Sequence, residues 1–415
     1  MTQRRANRQG GLGGRWEFDR RSRILGAGFG RQTGAADKDM DMGARKPECL
    51  TTTALLRFRT GVVMISILWP SIALVPAERR VEIKLGSSIE IGRQELLFGS
   101  FASICEDPEG NFFVLDEKEF KVFKFSPAGR LLLTFGGKGQ GPGDFQSPHL
   151  IVFTPQAEVV VLEDFYISFF KANGSFVRKL NLSDRFGLVY IGPDRFLGWV
   201  WRPEGRQQVL LDGHNKIMAS FQTQPRDSFS TTLADETGRA VMFNYSSEAY
   251  VPELIFGQGG GVGLAGLSTL YDLALLDEKG QIIGSVRKSL EPARISGSER
   301  ARLEQEIREF SEARRWPGRA ARELGKKIPE FKAIIRAVRV SPRHIFVFRV
   351  ARDITREDNS IAVDVFSLRG EFLGSTTLRQ VPLFISGKAV YFVETDPSGN
   401  EYLKRIDYSL SLTGN

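Results

Sequence analysis

A chain of 415 residues could hold two average domains, but all-β folds often run past 200 residues as one unit, so length excludes little. Phe is the dominant aromatic with 31 residues and Gly reaches 43, a composition that favours many short strands joined by turns. Of 57 basic and 49 acidic residues, residues 1–77 carry 13 and 6, leaving 44 and 43 in the rest. A body so nearly neutral has no field to draw a phosphate backbone, which argues against a nucleic-acid partner.

Residues 1–56 read as an N-terminal extension outside the fold. Residues 1–41 are rich in Gly and Arg without apolar periodicity, so this is either a disordered leader or the product of a start placed upstream of Met40 or Met42. Residues 57–77 have the three-part layout of a signal peptide. Arg57 and Arg59 precede the apolar run Gly61 to Trp69, no charge occurs between Arg59 and Glu78, and Val75-Pro76-Ala77 places small residues at a cleavage site. The same stretch could span a bilayer as a single N-terminal anchor, although Pro70 shortens its apolar helix and favours cleavage. The body is therefore expected in the periplasm or outside the cell, or anchored to the inner membrane. Of the two cysteines, Cys49 lies upstream of the cut, so Cys105 is left as a small buried core residue.

Residues 78–415 contain an internal repeat, and a period of this size signals propeller blades. In the first copy Asp107-Pro108-Glu109-Gly110-Asn111 turns, Phe112 to Leu115 is a strand ended by Asp116, Phe120 to Phe125 is the next, Ser126 to Gly129 turns, and Leu131 to Phe135 is the last. The order returns from Gln156 to Val177, from Gly192 to Ala219, from about Thr231 to Ile283, from Ala337 to Gly370, and from Leu383 to Ile406. Six copies predict an all-β, six-bladed β-propeller. The sixth copy stops after its third strand, and Val81 to Leu85 alternates apolar and polar, so this N-terminal segment is expected to complete the last blade and close the ring.

Between the first two copies, Phe135-Gly136-Gly137-Lys138-Gly139-Gln140-Gly141-Pro142-Gly143-Asp144-Phe145, with Pro148 just beyond, resembles the Gly-rich link of NHL-type repeats. The body as a whole resembles the exported six-bladed propellers of bacteria that carry this link. That resemblance implies the fold; these proteins share no common established activity.

Two segments interrupt the pattern. Residues 296–335 predict a helical insertion between the fourth and fifth blades, with Leu303, Ile307 and Phe310 at helical spacing, Ser296 and Glu299 placed as a capping box, and a break at Trp316-Pro317-Gly318. Its second half gathers Arg314, Arg315, Arg319, Arg322, Lys326 and Lys327, either a solvated helix face or a patch for an acidic partner or lipid headgroups. The run Gly257 to Gly266 ends in G-x-G-x-x-G, but a strand rather than a helix follows, so it reads as a flexible loop and not as a dinucleotide site.

Chemistry is sparse. His149, His214 and His344 are too far apart in sequence for a local metal motif. His214 belongs to a hairpin turn, whereas His149 opens the innermost strand of the second blade and is the histidine expected at the channel mouth. Asp116, Glu163 with Asp164, and Glu394 recur just after the second strand. They could form a carboxylate ring for a cation, but an acid in that position ordinarily accepts hydrogen bonds from turn amides. No nucleophile elbow, Cys–His pair or close acid pair supports hydrolysis.

These features together predict a monomeric, non-catalytic binding or scaffold propeller without a cofactor, recognising a protein, peptide or glycan on one face. The competing expectation is a hydrolase or lyase with Ca or Zn at the central channel. N-terminal sequencing of the exported protein should begin at Glu78; residues 60–77 found intact in a membrane fraction would establish the anchor instead.

Overall fold

The structure is a computed structural model that describes residues 80–92, 98–181, 186–225, 230–234, 238–245, 250–351 and 360–413. The N-terminal extension, the signal segment and Cys49 lie outside the described residues.

The chain is mainly β and forms a propeller. β1 (Arg80–Ile91) opens it. Four antiparallel blades follow, each with its strands in chain order. The first holds β2 (Phe101–Glu106), β3 (Phe112–Asp116), β4 (Lys121–Phe125) and β5 (Leu131–Phe135), and the second β6 (Pro148–Phe153), β7 (Glu158–Glu163), β8 (Tyr166–Lys171) and β9 (Phe176–Asn181). The third holds β10 (Phe186–Gly192), β11 (Arg195–Arg202), β12 (Gly205–Asp212) and β13 (Ile217–Pro225). A separate hairpin, β14 (Ser230–Ala234) and β15 (Ala240–Asn244), precedes the fourth blade of β16 (Leu254–Gly259), β17 (Val262–Leu267), β18 (Asp272–Asp277) and β19 (Ile282–Arg287). Helices α1 (Gly297–Ala313) and α2 (Gly318–Lys326) come next. The rest is one eight-stranded sheet made of β20 (Ile335–Val340), β21 (His344–Arg349), β22 (Ile361–Ser367), β23 (Phe372–Leu378), β24 (Phe384–Ile385), β25 (Ala389–Thr395), β26 (Glu401–Thr413) and β1.

Burial falls from the inner strands outward. β3 and β17 are buried along their whole length because neighbouring blades cover both faces, which is why they read as continuous apolar runs rather than as alternation. β5 and β19 at the rim are largely exposed. Between the first two blades Cys105, Phe113 and Val122 pack on Ile151, Val159 and Val161, and burial raises the Cys105 thiol pKa well above its usual range. The turns are fixed locally: Asp107, Thr154, Asp212, Asp277 and Asp396 each accept a hydrogen bond from the amide four residues on, at 2.8 to 3.1 Å.

The fourth blade corrects two expectations. The copy expected from Thr231 has its first hairpin, β14–β15, outside the blade, and the glycine run expected to be a flexible loop is the pair of inner strands β16 and β17. Gly260 and Gly261, at φ +57° and +76°, make the two-residue turn between them. Gly263 is small because of a close approach: a Cβ there would lie 2.6 Å from the Ile191 side chain of the third blade. Close inter-blade packing, rather than mobility, explains this composition.

The two helices lie between β19 and β20, and the Ser296–Glu299 capping box is present. They do not stand alone. Leu303, Ile307, Ala321 and Leu324 share a core with Tyr250 and Val251, and Trp316 is wedged edge-on between Phe243 of β15 and Phe310. Lys332 and Glu299 form a buried ion pair beneath them. The hairpin and the helices, inserted at separate points of the chain, thus build one cap.

Closure follows the expected route and extends further. β1 pairs antiparallel with β26 from Arg80↔Thr413 to Ile91↔Leu403, with a bulge between Leu85 and Ser88, and touches β23 in parallel at Arg80↔Ser375. Val81 is buried with Phe346, Phe348, Val363 and Val365, so the strand seals the hydrophobic layer as well as the edge. Deleting Val81 to Leu85 removes both, and thermal melts should fall by on the order of 10 °C or more.

Where the ends of the ring meet, Glu106 at the close of β2 faces Arg405 and Lys388, with its Oε2 buried near the Tyr391 hydroxyl. Burial raises the Glu106 pKa above the usual carboxylate range, despite the Ser386 hydroxyl and Arg405. A carboxyl with a raised folded-state pKa adds its full stability below the unfolded value and loses it as pH rises through the folded value. Glu106→Gln should therefore raise Tm near pH 7, with a gain that vanishes toward pH 4 in a pH series of melts.

Candidate functional site

Antiparallel pairing brings the start of each inner strand beside the end of its second strand: Phe101↔Asp116, Pro148↔Glu163, Phe186↔Trp199, Leu254↔Leu267 and Ile335↔Arg349. These ends define one face of the propeller. The links from each outer strand to the next inner strand lie on it, and both insertions replace such links, so the cap rises from this same face.

The repeated acids have structural work there. Asp116 is fully buried and accepts hydrogen bonds from the amides of Gly99, Ser100, Lys118 and Glu119 at 2.6 to 3.1 Å. Glu163 does the same in the second blade, accepting from Gln146 and Ser147 and pairing with Lys179 at 3.1 Å. Asp116 ties the incoming link to the turn after its second strand, and Glu163 ties the link to β8 and β9. Glu394 accepts from the Tyr402 hydroxyl at 2.7 Å and pairs with Lys404 at 3.4 Å. These three are used within their own sheets. Among the described residues, no three His, Cys, Asp or Glu side chains are placed to share a metal ion.

His149 and Asp164 do come together. A register shift between Pro148 and Leu150 leaves His149 in a bulge at the start of β6. Its ring is sealed from solvent. Burial lowers its pKa from the usual histidine range against the pull of Asp164, with the backbone of Leu188 and Ser147 and the Glu163 carboxylate also nearby. Of the other histidines, His214 is exposed in its turn, and His344 is half-buried at the start of β21 with its pKa lowered by burial and by Arg343.

The basic residues of the insertion occupy the outer surface of the cap. Arg314, Arg315, Arg319, Arg322 and Lys326 are exposed, and Lys327 is half-buried. Arg314 lies over the Phe310 ring at 4.3 Å, and Lys326 pairs with Glu323 at 2.9 Å.

Two features of this face escaped the sequence reading. Asp364, fully buried in β22, accepts from Tyr271 at 2.6 Å, Ser375 and Lys288, with Arg349 at 3.4 Å; an acid in the middle of Ile361-Ala362-Val363-Asp364-Val365-Phe366 was its signal. The other is the β11–β12 hairpin, which runs three residues beyond Trp199 to the tight turn at Arg202↔Gly205. It carries Trp201 into solvent at 55 % exposure, edge-on to Trp199 at 5.3 Å. The alternation Trp199-Val200-Trp201 ahead of a Pro-Glu-Gly turn was legible, but nothing local marked it as projecting from a face.

No helix among the described residues is long and apolar enough to cross a membrane. No protein-family model matches the sequence, and no curated protein matches it. In structure the chain is similar to a Bacteroides fragilis protein named for its expected export, at 11% identity and a TM-score of 0.49, covering 80% of this chain and 96% of that one. It is similar to a Bacteroides vulgatus member of the DUF4221 family, at 11% identity and a TM-score of 0.46, covering 81% and 100%. It is also similar to virginiamycin B lyase from Staphylococcus aureus, at 10% identity and a TM-score of 0.37, covering 79% and 99%.

Proposed function

We propose that the chain is an exported, non-catalytic binding or scaffold propeller of six blades, acting as a monomer in the periplasm or outside the cell. Its ligand, a protein, peptide or glycan, sits on the face where the inner strands begin. The blade count is supported by the eight-stranded sheet, which divides into β20–β23 and β24-β25-β26-β1 joined by the single contact Arg80↔Ser375. It is supported too by the inner strands, since β24 lies against β2, β2 against β6, β10 against β16, β16 against β20 and β20 against β24, while β10 reaches the second blade through β7.

The observation that carries the functional reading is the employment of the acids. Asp116 has its lone pairs taken by four amides and Glu163 by two amides, Ser168 and Lys179, so neither is poised for acid–base work. The same face meanwhile bears the cap and a projecting aromatic hairpin, which are features of recognition. The competing reading, a hydrolase or lyase with Ca or Zn at the channel, has its best seat at the buried His149, whose ring feels the Asp164 carboxylate. Elemental analysis of protein purified without chelator separates the two. The binding reading expects no stoichiometric metal. About one equivalent of calcium or zinc, lost in His149→Ala, Asp164→Asn or Asp116→Asn, would overturn it.

A further inference from the structure

The cap carries a charge that the near-neutral body conceals. Between Arg314 and Lys327 the chain sets six cations against one carboxylate, Glu323. The fold arrays three of them in a row. Ala320, Ala321 and Leu324 are buried, so Arg319, Arg322 and Lys326 form the exposed stripe of α2, spaced about 4.5 and 6 Å along its axis. The Arg322 Nη1 stands 3.9 Å from where a Cβ on Gly318 would lie, so this guanidinium reaches back over the first residue of the helix. Arg314, at the end of α1, is held over the Phe310 ring at 4.3 Å.

Contacts within the protein do not account for these charges. Lys326 holds Glu323 at 2.9 Å, and that hydrogen bond, with Arg319 and Arg322 close by, keeps the Glu323 carboxyl below the usual carboxylate range. Among the described residues no carboxylate lies within ion-pair distance of Arg315, Arg319 or Arg322. On α1, Glu299, Glu306 and Glu309 are taken by Lys332, Arg302 and Gln305. Glu304, whose Cγ approaches Gly325, and Glu312, just before Arg314, border the stripe without ion pairs, and the surface still keeps more cations than carboxylates. Helix stability does not select the stripe either, because the dipole favours acids in the first turn of α2, which holds none.

The surface also says which kind of anion fits. No large apolar side chain is exposed from Glu312 to Lys327, so the apolar centre of a protein interface is missing. The apolar side of α2 is spent on the cap core, which leaves nothing to insert into a bilayer. A nucleic acid would need a field that the near-neutral body does not extend beyond the cap. What remains is a short row of charges, mostly arginines, whose planar forks match carboxylates bidentately. A linear polymer with one carboxylate on each ring sets its acids at regular steps along such a row. Resting on the binding reading above, we infer that the cap takes an acidic polysaccharide, a uronic acid polymer laid along α2, with Arg315, Arg319 and Arg322 binding its carboxylates.

Titration calorimetry of the exported protein at low ionic strength, with oligogalacturonate and oligoalginate as probes and neutral dextran as the control, tests the inference. At least one uronate is expected to bind with a Kd below about 1 mM, more weakly as salt is added, and dextran not at all. Arg322→Glu, at an exposed position, should weaken binding about fivefold or more and leave the thermal melt unchanged, whereas Arg202→Glu, an equal change of charge on the third blade, should leave the affinity as it was. Failure of both uronates to bind overturns the inference, as does equal weakening by Arg202→Glu, which would mean a diffuse field rather than a site. Tighter binding of polyglutamate, phosphatidylglycerol vesicles or single-stranded DNA overturns it in favour of an acidic protein, a membrane or a nucleic acid. Uronate binding that survives Arg322→Glu but is lost in His149→Ala would move the ligand to the channel mouth, which removes this inference and keeps the binding reading. Shortening of the bound uronate on chromatography would instead overturn the non-catalytic reading itself.

Discussion

The pairing of β1 with β26 is the interaction on which the rest of the molecule depends. Every other blade is built from consecutive strands and could form early and locally, whereas this one joins residue 80 to residue 413. No disulfide joins the described residues, and an unpaired β26 would present a long open edge. The extra length of β1 and β26 answers that demand. Their first and last turns of register reach past the last inner strands to bury Val81 against Phe346 and Phe348 and to meet β23. The ring is therefore held by backbone pairing and by apolar burial at once.

Much of this was legible in the sequence for a physical reason. Strand periodicity and turn chemistry are local, so Asp107-Pro108-Glu109-Gly110-Asn111 announces its turn and Phe112 to Leu115 its buried strand without reference to anything distant. Asp116 belongs to the same class, since it binds the amides of Lys118 and Glu119 two and three residues on, whereas Glu163 binds the link before its blade and not the turn after its strand. What could not be read was any feature whose cause sits in another blade. Gly263 is small because of Ile191, and Gly259 because a Cβ would meet the Val340 carbonyl at 2.5 Å. From within the chain such glycines look like slack.

The cap and the aromatic hairpin show the same limit. Helical spacing exposed Leu303 and Ile307, but their partners Tyr250 and Val251 come from an insertion about fifty residues upstream with no helical pattern, so the union of the two was invisible. His149 was placed correctly at the opening of β6. The burial of its ring depends on the bulge that follows Pro148 and on the backbone of the third blade, neither of which the sequence discloses. Recognition surfaces of propellers are assembled from the same structural point of several repeats, and a reading along the chain separates what the ring brings side by side.

The direction of β1 has a further consequence. Its Ile91 end reaches the face where the inner strands begin, and Arg80, paired with Thr413, lies at the opposite side. Both described ends of the chain thus leave from one side, and the cap with the tryptophan hairpin occupies the other. Anything joined at residue 80 or residue 413 would meet the propeller on the side away from the cap and the tryptophan hairpin. A label or immobilising tag fused at either end would leave that surface open as well.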